Sequence, residues 1–264
     1  MTSSYIIKGG EAGRARLSVL SEAMAEATGS LLDRAGPWDG RRVLDAGCGG
    51  GDVSRDLARR VGPSGQVVGI DADGAKIAAA RDAAADLPRL SFRVGDAIAA
   101  GPDDPFDVIY VRFLLSHLTD PVGALATLHG RLKPGGLLVA EDVDFDGHFA
   151  EPAQPALDRY VAWYKAAAWR RGANAILGRE LPRLVAGAGF EMVYAGAVNP
   201  AALSGPIKQL APLTLAAIAD SVVEAGLADR SEVDQTLIEL QVAADDTAVF
   251  MSLPRVGQVI ARRP

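Results

Sequence analysis

A short apolar run that ends in an acid and breaks into glycine constrains this chain more than any other stretch: Val43-Leu44-Asp45-Ala46-Gly47-Cys48-Gly49-Gly50-Gly51-Asp52. The run suits a strand buried on both faces, which is the parallel-sheet setting. Glycine at 47, 49 and 51 lets the backbone take positive φ and approach a ligand closely. A helix follows, and its first N–H groups are free to face that ligand.

The first half of the chain repeats this rhythm. Strands are expected at about 42–46, 66–71, 91–94, 106–111 and 137–142, and helices at about 52–60, 75–85 and 121–132. Gly62-Pro63-Ser64-Gly65 and Lys133-Pro134-Gly135-Gly136 read as turns. Alternation of strand and helix, with continuously apolar strands, predicts a Rossmann-like α/β fold: a doubly wound, mostly parallel sheet under helices on both faces. Ligands in such sheets bind beyond the carboxyl ends of the strands, where strand order reverses. Asp45, Asp71, Asp96 and Arg112 fall at or just past those ends.

The flanks read differently. A helix over about 12–34 precedes the first strand, with Gly29 leaving two helices open. Tyr5 lies ahead of it, in a segment that either folds over a pocket or anchors the terminus. Beyond 142, helices are expected at about 152–171, 178–188, 206–226 and 231–244, and a strand at about 190–198. Pro212 is a candidate break, and Ser231-Glu232-Val233-Asp234 a candidate capping box. A strand pair or hairpin arm, interrupted by Pro254, is expected over about 247–262. The chain divides as one domain: an N-terminal helical cap (1–40), a ligand-binding core (41–142), and helices with the last strands (143–264) that form a lid.

Charge and cysteine usage narrow the partners. The net charge of −6 argues against a dedicated nucleic-acid binder. Cys48 is the single cysteine, so no internal disulfide and no cysteine-built metal site is expected, which fits a reducing compartment. Met1–Gly10 lacks a basic region followed by an apolar core, and no apolar run is long enough to span a bilayer. The expectation is a cytoplasmic protein with no membrane partner and no bound metal.

A dinucleotide loop wants Gly-x-Gly-x-x-Gly, and here Asp52 stands at the third glycine's place. Asp45, ahead of the turn, would repel phosphates and favour an amine-bearing ligand. The stretch from Val43 to Gly51 resembles the first motif of the class I S-adenosylmethionine-dependent methyltransferases. The resemblance runs from about residue 41 to 142. Gly69-Ile70-Asp71 is similar to the second motif, Gly95-Asp96-Ala97 to the third, and Phe106-Asp107-Val108-Ile109 and Leu132-Lys133-Pro134-Gly135-Gly136 to the signatures before and at the later strands. It implies a seven-stranded sheet, S-adenosylmethionine as donor and S-adenosylhomocysteine as product. In that family the second acid binds both ribose hydroxyls, and the third accepts from the adenine amino group while the next N–H meets the ring. The implied donor set is Tyr5, Asp45, Gly47, Cys48, Gly49, Gly51, Asp71, Ala72, Asp96, Ala97 and Arg112. A carboxylate suits paired ribose hydroxyls because it accepts two charge-assisted hydrogen bonds.

Methyl transfer from sulfonium is an in-line displacement in which alignment and exclusion of water do most of the work. A base is needed only for a protonated acceptor. His148, past the fifth strand, is the leading base candidate. His117 has a donor-side or structural reading, His129 a structural one, and Asp142 and Asp144 are weaker base candidates. Tyr160, Trp163, Tyr164 and Trp169 either wall the acceptor or bury their helix on the sheet. The expected activity is methylation of a small organic acceptor at oxygen, nitrogen or carbon, with a homodimer open as the assembly. The rivals are a donor-binding subunit without catalysis, a nicotinamide oxidoreductase, and a protein or RNA methyltransferase. The acidic balance speaks against RNA, and Val111-Arg112-Phe113-Leu114 stands where base-nitrogen methylation would want Asn-Pro-Pro-Tyr.

Overall fold

The structure is a computed structural model that describes residues 11–99 and 105–264, without the side chains of residues 11–15. Tyr5 lies outside the described residues. The chain opens with α1 (Glu11–Ala35), β1 (Arg42–Ala46), α2 (Asp52–Val61), β2 (Gln66–Asp71), α3 (Gly74–Asp82), β3 (Leu90–Val94), β4 (Phe106–Arg112), α4 (Pro121–Arg131) and β5 (Leu132–Asp144). It continues with β6 (Ala150–Glu151), α5 (Pro155–Arg170), α6 (Leu177–Gly187), β7 (Glu191–Val198), β8 (Ala201–Ala202), α7 (Pro206–Glu224), α8 (Arg230–Asp245), β9 (Phe250–Ser252) and β10 (Arg255–Arg262).

Seven strands form one sheet in the order β3-β2-β1-β4-β5-β10-β7. The first five are parallel, and β10 runs antiparallel to both β5 and β7. Successive residues point to opposite faces. Leu44, Val68, Ile109 and Leu138 therefore meet Leu125, Leu128, Leu181 and Val185 of α4 and α6. Val43, Val67, Val108 and Val139 meet Leu31 and Leu32 of α1 and Leu57 and Val61 of α2 on the other face. Each of these fully buried aliphatic side chains contributes about 1.5–3 kcal/mol relative to exposure. Order reverses between β1 and β4, which opens the ligand crevice there.

Four expectations are corrected. α1 is unbroken at Gly29, where a side chain would meet open space. Pro212 sits inside an unbroken α7. The cap of α8 is Asp229 with Glu232 rather than the Ser231 box: the Asp229 side chain accepts from Glu232 N, and Glu232 accepts from Asp229 N. The last two strands are not a hairpin, because β9 joins β6 and β8 in a separate antiparallel sheet. The Lys133–Gly136 turn survives as a bulge within β5, between Leu132 opposite Phe106 and Leu137 opposite Val108.

A buried polar knot ties α1 to the sheet. Glu141 of β5 accepts from Thr28 (2.9 Å), Tyr110 (2.6 Å) and Gln258 (2.7 Å). Its carboxylate is thereby satisfied, which a buried acid requires. The α5, α7 and α8 helices build a second apolar cluster with Phe145 and Met251 beyond the end of β5.

Candidate active site

A cavity of about 1150 Å³ lies over the carboxyl ends of β1, β2, β4 and β5, under α1, α5 and α7. That is at the upper end of the roughly 300–1,000 Å³ usual for a small-molecule pocket. Its donor-side lining includes Asp45, Gly47, Cys48, Gly49, Asp71, Ala72, Asp96, Ala97 and Arg112, all from the expected set.

The β1–α2 loop is held open by backbone geometry. Gly47, Gly49 and Gly51 have φ of 76°, 53° and 75°, values that a side chain would strain. Gly51 serves packing rather than lining, since a Cβ there would stand 2.6 Å from the Phe92 ring. Gly51 takes the close-packing duty that a third dinucleotide glycine would have. Cys48 is buried against Ile77, Ala80 and Phe92. Burial and the nearby Asp45 and Asp71 charges push its thiol well above the usual range, so it fills the loop and is no nucleophile.

The acids differ in setting. Asp71 accepts from Gly49 N and Asp73 N at 2.9 Å each, which locks the loop to β2. A carboxylate has about four acceptor sites, so capacity remains for ribose hydroxyls. Asp96 is exposed and accepts from Ile98 N at 2.9 Å, an Asx turn that aims it over the crevice rim. Asp45 is 3% exposed and accepts from Ser54 Oγ at 2.5 Å. Burial pushes its carboxyl up to about 6, with Ser54 and the Arg112 charge pulling the other way. Arg112 donates to Thr28 Oγ1 at 3.2 Å and so joins the polar knot. Phe113, next in the chain, is the one non-glycine at positive φ among the described residues (53°), and it turns the backbone at the cavity floor.

The other end is aromatic and apolar. Phe145 stacks on Tyr164 with ring centroids 3.8 Å apart, and His148 stands edge-on to Phe145 (5.3 Å) and Tyr160 (5.8 Å). His148 Nδ1 lies 3.1 Å from the Ser252 carbonyl oxygen. A carbonyl only accepts, so Nδ1 carries the proton and Nε2 keeps its lone pair. Nε2 is buried and has no partner among the described residues. Burial pushes the imidazole down to about 4. His117 also lines the cavity and is pushed down to about 4 by burial, with the Arg16 and Lys76 charges adding to it.

Tyr160 and Tyr164 line the cavity, but Trp163 and Trp169 do not. Trp169 points outward, 79% exposed, and Trp163 packs at the edge of the apolar cluster. The helix turns these two away because its inward stripe runs through Leu157, Tyr160, Tyr164 and Ala168, with Ala156 and Ala167 beside it. Asp142 and Asp144 also miss the cavity. Asp142 accepts from Ser116 N and Val143 N, and Asp144 is buried between Arg179 and Arg255. Unforeseen lining comes from Arg16, Leu20 and Met24 of α1, Leu210 and Thr214 of α7, and Leu253 beyond β9. Of these, Leu20 and Met24 recur at helical spacing with Leu17 in the sequence of α1.

A parallel doubly wound sheet with a reversed strand beside β5, and a glycine loop opening among strand-end acids, is the fold of the class I S-adenosylmethionine-dependent methyltransferases. Residues 38–186 match the profile of the methyltransferase domain, and the chain belongs to that family. The match ends inside α6, so it takes in Phe145, His148, Tyr160 and Tyr164 but leaves out the lining from α1, α7 and the residues after β9. A 2-phytyl-1,4-naphtoquinone methyltransferase of Thermosynechococcus vestitus is 37% identical over 127 residues, covering 47% of this chain and 53% of that one. A trans-aconitate 2-methyltransferase of Methylobacterium radiotolerans is 37% identical over 139 residues, covering 53% and 50%. The chain thus spans about half the length of the curated relatives it matches. Among solved structures, the [4+2]-cyclase SpnF superposes with TM-score 0.56 at 23% identity over 90% of this chain and 81% of that one, which shows the shared fold.

Proposed function

We propose that this chain moves a methyl group from S-adenosylmethionine to a small organic acceptor with a largely apolar or aromatic body. One observation carries the reading: strand-end acids and a positive-φ glycine loop line one end of a cavity whose other end is aromatic. The residues fit the donor, since the loop is clear of side chains and Asp71 keeps unused acceptor sites. Asp71 would hold the ribose, Asp96 and the Ala97 N–H the adenine, and Asp45 with Arg112 the amino-acid group. When bound, S-adenosylmethionine supplies a methyl group on a positively charged sulfonium. The chain's part is to align the acceptor in line with it and keep water out. Phe145, Tyr160 and Tyr164 exclude water, and His148 Nε2 is placed to accept the acceptor's proton. The naphthoquinone and trans-aconitate relatives support a small-molecule acceptor, as does the net charge of −6 against a nucleic-acid one. No helix among the described residues is long and apolar enough to cross a membrane. The lone buried Cys48 suits a cytoplasmic setting, and a homodimer is the assembly to test for.

Calorimetry with S-adenosylhomocysteine checks the donor half. Wild type binds, and Asp71→Ala weakens binding by at least about tenfold, because hydrogen bonds to a charged group contribute about 1.5–3 kcal/mol. No binding by wild type, or equal binding by both proteins, overturns the reading.

A further inference from the structure

Arg16 is out of place for a structural cation. Most described arginines near acids are paired, as Arg55 with Asp52, Arg60 with Asp33 and Asp56, and Arg179 and Arg255 with Asp144. Arg16 instead projects from α1 into the cavity, half-buried, and its Nε donates to the neutral Thr214 Oγ1 at 2.9 Å. It forms no ion pair with a carboxylate among the described residues. The cavity lining from the flanking elements is mostly apolar, with Met24, Leu210 and Leu253 in one cluster and Phe145, Tyr160 and Tyr164 in another, and His117 is the titratable group on which the Arg16 charge acts. Among the described residues that α1, α5 and α7 contribute to the lining, Arg16 carries the single formal charge. A guanidinium kept in such surroundings calls for a counter-charge, and the described residues provide none there.

The position is tied to the acceptor end. Thr214, buried in α7, is also the hydrogen-bond partner of the Tyr160 phenol. Tyr160 in turn packs edge-on to His148. Arg16, Thr214, Tyr160 and His148 thus form one connected wall. The donor end has its own cations, Arg112, whose charge acts on Asp45, and Lys76 beside Asp73.

We propose that Arg16, steadied by Thr214, binds a carboxylate on the acceptor, so that the acceptor is an organic acid with an apolar or aromatic body. The proposal rests on reading the cavity as holding donor and acceptor together. A guanidinium fork matches a carboxylate with two parallel N–H donors. The aromatic wall then takes the body of the acid, and the acid's reacting atom faces the donor end beside His148.

The test uses a matched pair of probes, 8-phenyloctanoate and 8-phenyloctanamide, titrated by calorimetry into the protein saturated with S-adenosylhomocysteine. The expected result is acid binding about 10- to 100-fold tighter than amide, the range of a charge-assisted pair. Arg16→Gln brings that ratio to within about twofold, and Arg16→Lys keeps part of it, because a point charge replaces the fork. Thr214→Val lowers acid affinity by a smaller factor through loss of the Nε anchor. Affinity for S-adenosylhomocysteine stays the same in Arg16→Gln. Equal binding of acid and amide, or binding of neither, overturns the proposal. So does an Arg16→Gln that weakens S-adenosylhomocysteine while leaving the acid preference intact, which would assign Arg16 to the donor's own carboxylate. If wild type fails to bind S-adenosylhomocysteine, the donor reading falls, and the acid–amide comparison on the free protein still decides the role of Arg16.

Discussion

Asp45 is under opposed demands. Burial favours its neutral form and lifts it to about 6, yet a ligand amine would be held best by the ionised form. Binding of an amine-bearing donor must therefore draw the proton off. Affinity for S-adenosylhomocysteine is expected to hold level above about pH 7 and to fall by up to tenfold per unit once pH drops below about 6. Asp45→Asn is expected to bind more weakly at pH 7.5 and to lose that slope. Calorimetry across pH 5–8 decides it, and a flat wild-type profile would remove Asp45 as the amine partner. This residue and Asp71 were legible in the sequence because each stands at the end of an apolar run, and Asp96 because it follows the next strand across a glycine. Arg16 and Thr214 were not, being 198 positions apart. Their meeting depends on how α1 crosses α7, which no local pattern encodes. The tryptophans misled for a related reason: helical periodicity identifies an inward stripe but not which of two neighbouring aromatics lies on it.

At the scale of elements, α6 packs on the sheet through Leu181 and Val185 and, at its first turn, through direct backbone approach. A Cβ at Gly257 of β10 would strike the Gly178 carbonyl of α6, and one at Gly178 would strike the Asp142 carbonyl of β5. Helix and strands approach so closely only because both sites lack a side chain. Gly257→Ala is expected to destabilise the protein by about 3 kcal/mol, the upper end for overpacking, with Gly187→Ala, in open space on the same helix, near neutral. Urea unfolding of the two variants measures the difference, and similar midpoints would show that α6 can shift at little cost. β1, β2, β4 and β5 were readable because burial on both faces leaves continuous apolar runs, whereas β3, at the sheet edge, buries only Phe92. The fates of β9 and β10 were not, because Pro254 marks a break in pairing without saying that the next strand joins another sheet.

Across the whole molecule, buried titrating groups oppose one another. Asp45 and Asp142 are each raised to about 6 by burial, and His117 and His148 are each lowered to about 4. Stability from a raised carboxyl is full below its unfolded value near 3.8 and is lost as pH rises through about 6. Stability from a lowered imidazole is full above 6.5 and is lost as pH falls through about 4. Between these limits unfolding releases protons at two sites and takes them up at two others, and the slopes cancel. His148→Gln breaks the balance, so its stability is expected to fall relative to wild type as pH rises from about 4.5 to 6, by roughly 1.4 kcal/mol per unit. Asp142→Asn is expected to tilt the other way by a similar amount. Urea titrations at three pH values separate them, and parallel slopes would refute the opposition.

The placement of β10 also bears on how this chain is made. β7 reaches the main sheet only through β10, and β10 brings the Gln258 amide that completes the partners of Glu141. On a ribosome, β7 emerges well before the strand that will hold it. Until then β5 presents an open edge and Glu141 sits one hydrogen bond short. The nascent protein therefore passes through a stage with a nearly finished glycine loop but an unsealed flank, the kind of exposed edge that invites pairing with another chain. That flank, rather than the crevice, is the surface open to pairing until β10 is in place.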